Sequence, residues 1–204
     1  GNFSDDSVFT IAIDPENPSI LYVGTDTYMY KSTDFGETWS KIGFSAPSVT
    51  NVRDIVIDPE TTSTIYAGSI TGGVFKSENG GEYWNEINEG LTTHRISSLA
   101  INPHLPTTIY TRTFDGGVFK TTDGGGHWSA VNQGLTGLET TILAIDPKMP
   151  SKIYVGTLYQ GVFKSTDSGE NWTELNDGLP FFYITSLELD PHTPTLIYAG
   201  TVGG

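Results

Sequence analysis

A strict 44-residue period, four short β-type runs in each period, and a glycine- and aromatic-rich composition predict an all-β fold. The architecture expected is a β-propeller of four-stranded antiparallel blades. Within 204 residues the period sets out four full blades and half of a fifth, at about 8–51, 52–95, 96–139, 140–183 and 184–204, read as one propeller domain or a fragment of one. With 24 glycines, 12% aromatics and only 17% charged residues, the composition suits strands and tight turns.

Two markers fix the period. The pair Asp14-Pro15 returns as Asp58-Pro59, Asn102-Pro103, Asp146-Pro147 and Asp190-Pro191, each time 44 residues on. Eight residues after each Asp or Asn stands a tyrosine: Tyr22, Tyr66, Tyr110, Tyr154 and Tyr198. The second marker, Ser/Thr-x-Asp/Asn-x-Gly-x-x-Trp, runs from Ser32 to Trp39, Ser77 to Trp84, Thr121 to Trp128 and Ser165 to Trp172, and contains all four tryptophans of the chain.

Each repeat divides into strands A to D. In the fourth copy strand A is expected at 142–145, followed by the turn Asp146-Pro147-Lys148-Met149-Pro150. Strand B is expected at 152–157, strand C at 161–165 and strand D at 172–175, split by Gly, Pro and Asp turns. A solenoid would show a shorter period and no four-stranded meander. Strand A reads Ile11-Ala12-Ile13, Ile55-Val56-Ile57, Leu99-Ala100-Ile101 and Leu143-Ala144-Ile145. The small central residue suits the innermost strand, where blades converge on the axis. The tryptophans are expected to begin strand D at the rim, each filling the wide gap to the adjacent blade, as native packing density requires.

With these four boxes in register the chain resembles the Asp-box (BNR) β-propellers. That group includes sialidases, sortilin-type receptors, xyloglucan-specific endoglucanases and photosystem II assembly-factor-like proteins. The resemblance implies a structural role for each box, as a turn between strands C and D at the blade's outer edge. In it Ser32, Ser77, Thr121 and Ser165 open the turn. Asp34, Asn79, Asp123 and Asp167 would accept backbone N–H bonds, and Gly36, Gly81, Gly125 and Gly169 would supply a conformation other residues resist. A calcium loop needs several acids at alternating positions, which these boxes lack.

The formal net charge of −14 argues against nucleic acid and against anionic lipid as partners, and no 18-residue apolar run predicts membrane insertion. With no cysteine, disulfides, thiolate catalysis and Cys-based zinc sites are excluded. That composition is compatible with an exported protein, and an extracellular or periplasmic location is expected, the chain opening at Gly1-Asn2-Phe3 as though a leader had been removed. The histidines His94, His104, His127 and His192 fall on different connections without ligand spacing, so neither a metal nor a cofactor is expected.

In a four-stranded meander the A–B turns and boxes share one face, and the B–C and D–A connections share the other. The first face is monotonous here; the second varies, and loops on a rigid scaffold commonly carry binding. Its B–C connections are 25–28, 69–72, 113–116 and 157–160, and its D–A connections include 44–50, 91–96, 135–141 and 179–184. Tyr28, Phe114, Tyr159, Phe181, Phe182 and Tyr183 lie there. Two roles are open to these rings, a platform for a sugar or protein ligand, or packing against the next blade's loop.

Arginine is scarce, which makes its positions informative. Arg112 breaks the glycine series Gly24, Gly68, Gly156 and Gly200; Arg95 follows His94 in a D–A loop; Arg53 is expected to precede a strand A. A sialidase grips a carboxylate with three arginines, but the Arg-Ile-Pro signature is missing and no Tyr/Glu nucleophile pair can be assigned by motif. The run Asp146 to Thr157 looks most like xyloglucan-endoglucanase and assembly-factor blades, enzymes of the first kind using two acids across a cleft between tandem propellers. Asp26, Asp115 and Glu139 sit on the variable face, yet one acid per loop is a weak pattern for paired-carboxylate hydrolysis. The expected function is therefore non-catalytic binding of a protein or carbohydrate through Tyr28, Arg95, Arg112, Phe114, Asp115, Glu139, Tyr159, Phe182 and Tyr183. A glycoside hydrolase fragment of the xyloglucan-endoglucanase or sialidase type is the alternative.

The fifth repeat carries strands A and B but neither C, D nor a box before Gly203-Gly204. An uncovered strand B would be a bare sheet edge, which natural proteins avoid. A fragment of a larger propeller is expected, or a homodimer in which a second copy completes the ring. Glu188, at the position of Ala12, Ala100 and Ala144, fits a solvated face.

Overall fold

A computed structural model describes residues 6–43, 51–190 and 192–203. The first blade is β1 (Val8–Ile13), β2 (Leu21–Thr25), β3 (Met29–Ser32) and β4 (Ser40–Ile42). The second is β5 (Val52–Ile57), β6 (Ile65–Ser69), β7 (Gly73–Ser77) and β8 (Asn85–Glu86). The third is β9 (Ile96–Ile101), β10 (Ile109–Thr113), β11 (Val118–Thr121) and β12 (Ser129–Ala130), and the fourth β13 (Thr140–Ile145), β14 (Ile153–Thr157), β15 (Val162–Ser165) and β16 (Thr173–Glu174). The fifth sheet holds β17 (Ile184–Leu189) and β18 (Ile197–Thr201). Every sheet is an antiparallel meander in chain order, and the innermost strands β1, β5, β9, β13 and β17 pack one against the next. This is the β-propeller arrangement.

The turn chemistry explains why the period is so regular. The side-chain oxygen of each Asp/Asn-Pro residue accepts two backbone N–H bonds, from Glu16 and Asn17 at Asp14 (2.9 and 3.0 Å) and from Lys148 and Met149 at Asp146 (2.9 and 3.0 Å). In the boxes, Ser165 Oγ accepts from the Gly169 amide at 2.9 Å and Asp167 accepts from the Asn171 amide at 2.9 Å. Gly169 has φ +89°, a left-handed backbone that a Cβ would oppose.

The core lies in the seams between blades. At the first seam Tyr22 and Met29 meet Ile55, Ile65, Phe75 and Trp84; at the second Tyr66 and Val74 meet Ile96, Ile109, Phe119 and Trp128. At the third Tyr110, Val118 and Val131 meet Leu143, Ile153, Phe163 and Trp172; at the fourth Tyr154 and Val162 meet Ile184 and Leu187. The repeat tyrosine also bridges blades by its hydroxyl: Tyr22 donates to the Gly80 carbonyl at 3.2 Å and Tyr110 to that of Ser168 at 3.0 Å. Burial pushes both phenols up to about 12.

The end blades show the same residues without a neighbour among the described residues. Ile11 and Ile13 are 58% and 56% exposed where Ile55 and Ile57 are 4% and 9%, and Tyr198 is 56% exposed where its four equivalents are buried. Trp39 accordingly corrects the expectation that every tryptophan fills a gap between blades. It is only half-buried, and its indole donates to Gly36 in its own box at 3.0 Å.

Other expectations shift by a few residues. Strand D is only two or three residues long and begins after its Trp. Strand A is longer than expected and opens with a β-bulge in every blade, so Arg53 lies within β5 rather than before it. The connection 44–50 lies outside the described residues.

Candidate functional site

The B–C and D–A connections meet on one face, joined by a backbone bond repeated every 44 residues. Ile70 N–H donates to Asn51, Phe114 to Arg95, Leu158 to Glu139 and Val202 to Tyr183, at 3.0–3.1 Å. Asn51, Arg95, Glu139 and Tyr183 therefore occupy one repeat position, immediately before each inner strand. The backbone bond there is constant, while the side chain changes and Asn51 alone of the four takes a left-handed backbone, φ +58°.

A separate departure from the repeat is Arg112, within β10. At the equivalent glycines the next blade's inner strand approaches too closely for a side chain. A Cβ on Gly24 would stand 2.7 Å from Val52, one on Gly156 2.6 Å from Ile184, and one on Gly68 would overlap Ile96. The residue 28 positions on is thus apolar and β-branched in three seams, Val52, Ile96 and Ile184. In the third seam it is Thr140. The substitution is paired: the side chain of Arg112 enters where glycine is the rule, and its Nη1 donates to the Thr140 carbonyl at 2.6 Å. Burial lowers the guanidinium to about 10, with the Asp54 carboxylate acting in the opposite direction.

Around Arg112 lies a cavity of about 220 Å³ between the third and fourth blades, lined by Phe114, Glu139, Thr140, Thr141, Leu158 and Tyr183. Three polar atoms of these residues, Arg112 Nε, Thr140 Oγ1 and Thr141 Oγ1, are buried behind that lining and have no hydrogen-bond partner among the described residues. Thr141 is the extra residue of its strand's bulge, a device that re-aims a side chain.

Of the residues singled out in the sequence, Arg112, Phe114, Glu139 and Tyr183 line this cavity. Arg95 and Asp115 form an exposed ion pair beside it, Nη1 to Oδ2 3.3 Å, with the Arg95 guanidinium 5.2 Å from the Phe114 ring centre. Tyr159 and Phe182 are exposed on neighbouring loops, at 68% and 48%, while Tyr28 lies on the first blade, edge-on to Tyr30. His104 and His192 are exposed, and no group of three His, Asp or Glu side chains suited to a metal occurs among the described residues.

Sequence reading missed Thr140, Thr141 and Asp54. For Thr140 the signal was present, as the one polar residue in the series Val52, Ile96, Thr140, Ile184. Asp54 sits at the axis and joins three blades. Its carboxylate accepts from the Leu99 amide at 2.8 Å, Ser98 Oγ at 3.0 Å, the Ile55 amide at 2.9 Å and Thr10 Oγ1 at 3.4 Å. Burial nevertheless raises its pKa, outweighing those four donors.

The Sortilin-Vps10 family (sortilin, neurotensin receptor 3) matches residues 72–199, more than half of the chain, and the chain belongs to that family. Among solved structures it is similar to a GH74 xyloglucanase from Xanthomonas campestris, with 19% identity and TM-score 0.78, over 94% of this chain and 35% of that one. YCF48 from Cyanidioschyzon merolae aligns at 16% identity and TM-score 0.71, over 98% of this chain and 65% of that one. The extracellular domain of a hybrid two-component system from B. thetaiotaomicron aligns at 16% and 0.75, over 98% and 28%. At such identities the likeness establishes the propeller fold alone, and this chain spans less than two thirds of each of the three. No curated protein matches the sequence. No helix is long and apolar enough to cross a membrane among the described residues.

Proposed function

We propose that this chain is a non-catalytic propeller that binds a protein or carbohydrate ligand through the face carrying its B–C and D–A loops. The observation that carries this reading is the repeat position filled in turn by Asn51, Arg95, Glu139 and Tyr183 over a constant backbone bond. A structural need would select one residue type there, as it does for the box glycines. Phe114, Tyr159, Phe181, Phe182 and Tyr183 are all exposed on the same face, a supply of rigid apolar area such as ligand anchors need. Of the candidate acids, Asp115 is paired with Arg95.

The reading needs no cofactor. It places the chain outside the cell or in the periplasm, in keeping with the extracellular domain to which it is similar. It also allows a homodimer that completes the ring, since the uncovered face of the first blade (Ile11, Ile13) and that of the fifth sheet (Tyr198) are the two halves that make every internal seam.

Glycan and peptide arrays probed with the parent chain and a Tyr159→Ser/Tyr183→Ser variant test the binding face. Binding lost at an unchanged unfolding midpoint supports it, and a variant that binds as well as the parent overturns it. The non-catalytic part is tested by reducing-end release from a β-glucan panel: turnover abolished by Asp115→Asn or Glu139→Gln would make the chain a glycoside hydrolase.

A further inference from the structure

Independently of the loop face, the geometry points to the outer edge of the fifth sheet as a docking site for one kind of partner segment, a hairpin of strands C and D that carries an Asp-box. In the four complete blades strand C covers the outer edge of strand B in a single register. Ile153, Tyr154, Val155 and Gly156 stand opposite Ser165, Lys164, Phe163 and Val162, and the other three blades repeat the pairing. Strands β6 and β14 are buried throughout. β18 presents the same strand as Ile197, Tyr198, Ala199 and Gly200, yet among the described residues it pairs only with β17. Tyr198 and the adjoining Leu196 are 56% and 47% exposed. Such an edge is a template for an added strand.

The repeat names the occupant. In the second and third seams the Trp amide donates to the preceding blade, Trp128 to the Glu89 carbonyl at 2.8 Å and Trp172 to that of Gln133 at 2.9 Å. The indoles donate to Ile87 and Val131. One period on, these carbonyls belong to Asp177 and Leu175, both exposed, and no described residue donates to them. The glycine that ends this loop agrees. A Cβ on Gly90 or Gly134 would overlap the carbonyl of Trp128 or Trp172, whereas one on Gly178, at φ +81°, would meet nothing within 4 Å. The fourth blade thus keeps the Trp socket of the blades before it. On the fifth sheet, Thr195 corresponds to Ser63, Thr107 and Ser151, whose carbonyls accept box amides from Gly80, Gly124 and Ser168 at 2.9 Å. Tyr198 adds the last requirement. Its equivalents Tyr22, Tyr66 and Tyr110 lie under Lys31, Lys76 and Lys120 of strand C, at 5.4, 5.8 and 5.9 Å, so the incoming strand should set a lysine opposite it. A hairpin reading Val-Phe-Lys-Ser/Thr, continued through Asp/Asn and Gly to Trp, meets every one of these groups.

A synthetic peptide of residues 161–177, which carries β15, the fourth box and β16, tests the site when titrated into the whole chain and followed by the anisotropy of a fluorophore on the peptide. It should bind saturably below about 1 mM, the ordering of a free hairpin offsetting much of the gain. Amide hydrogen exchange should slow within residues 197–200 when it binds. Trp172→Ala in the peptide should weaken binding by about tenfold or more, as loss of an aromatic anchor does. Tyr198→Lys in the chain, which sets like charges opposite one another, should weaken the parent peptide several-fold at an unchanged unfolding midpoint. The assignment is overturned if the peptide fails to bind at that concentration, if its Trp172→Ala form binds as well, or if the Tyr198→Lys chain keeps the parent's affinity. A chain that is dimeric by light scattering and excludes the peptide would give the edge to a second copy and overturn it too. None of these outcomes touches the loop face, which the Tyr159→Ser/Tyr183→Ser arrays test separately.

Discussion

The indole N–H of Trp128 donates to the backbone carbonyl of Ile87 at 2.7 Å, across the seam between the second and third blades. Trp172 repeats the contact one blade on, to Val131 at 2.7 Å. Each bond ties a box to the outermost strand region of the preceding blade, the edge least supported by its own short ladder.

Trp128→Phe keeps an aromatic ring but removes this donor, leaving a carbonyl unpaired in a buried seam. The expected loss is about 1–3 kcal/mol in urea unfolding. Trp39→Phe should cost clearly less, because that indole is half-buried and bonds within its own turn. Equal losses at the two positions would show that the tryptophans stabilise their boxes and not the seams.

The boxes also set an acid limit. Asp34 is pushed down to about 2, first by the Thr38 hydroxyl and then by the Thr38 amide; Asp167 is pushed down to about 2 by the Asn171 side chain and amide; Asp123 is lowered chiefly by Thr121. A carboxyl whose folded pKa lies below its ordinary 3.8 stabilises the fold fully above that value, and the contribution is lost as pH falls toward 2. Asp54 works with the opposite sign. Burial raises it, so its contribution is lost as pH rises above 3.8, a separate window. The triple variant Asp34→Asn/Asp123→Asn/Asp167→Asn, which copies the Asn79 box, should show a flatter urea midpoint between about pH 4 and 2 than the parent. Parallel curves in that window would refute the linkage.

The fold was legible because its determinants are local and repeated. An Asx-Pro turn needs its acceptor at one position and a box needs its glycine, so spacing alone reveals both. The site was legible only where a side chain broke the period conspicuously, as Arg112 does among glycines. Thr140 escaped notice because threonine is an ordinary strand residue, and its meaning lies in a contact with Arg112 across 28 residues. Asp54 was hidden in a chain of 24 acids, where nothing local marks a carboxylate that faces the axis instead of solvent. Strand D is shorter than its apolar run suggests, pairing over only two or three residues after its Trp.

The pairing of Arg112 with Thr140 can be tested by moving it to the next seam. Gly156 stands against Ile184 as Arg112 stands against Thr140, and a Cβ there would lie 2.6 Å from Ile184 Cγ2 and 2.7 Å from Ile142 Cγ2. Gly156→Arg alone should therefore overpack the fourth seam and destabilise the chain by about 1–3 kcal/mol. Ile184→Thr alone should also destabilise, since Ile184 is fully buried and the change removes apolar contact while adding a hydroxyl. If the third seam works by the paired exchange, the double variant should be more stable than the sum of the two losses, with a coupling of about 0.5–3 kcal/mol by urea unfolding. Strict additivity would mean that Arg112 is accommodated by the seam as a whole and that Thr140 is incidental. In the same experiment Arg112→Gly, which restores the repeat, should lose no more than about 1 kcal/mol, the ordinary cost of glycine in a strand. A small loss would mean that the buried guanidinium contributes little to the stability of its seam.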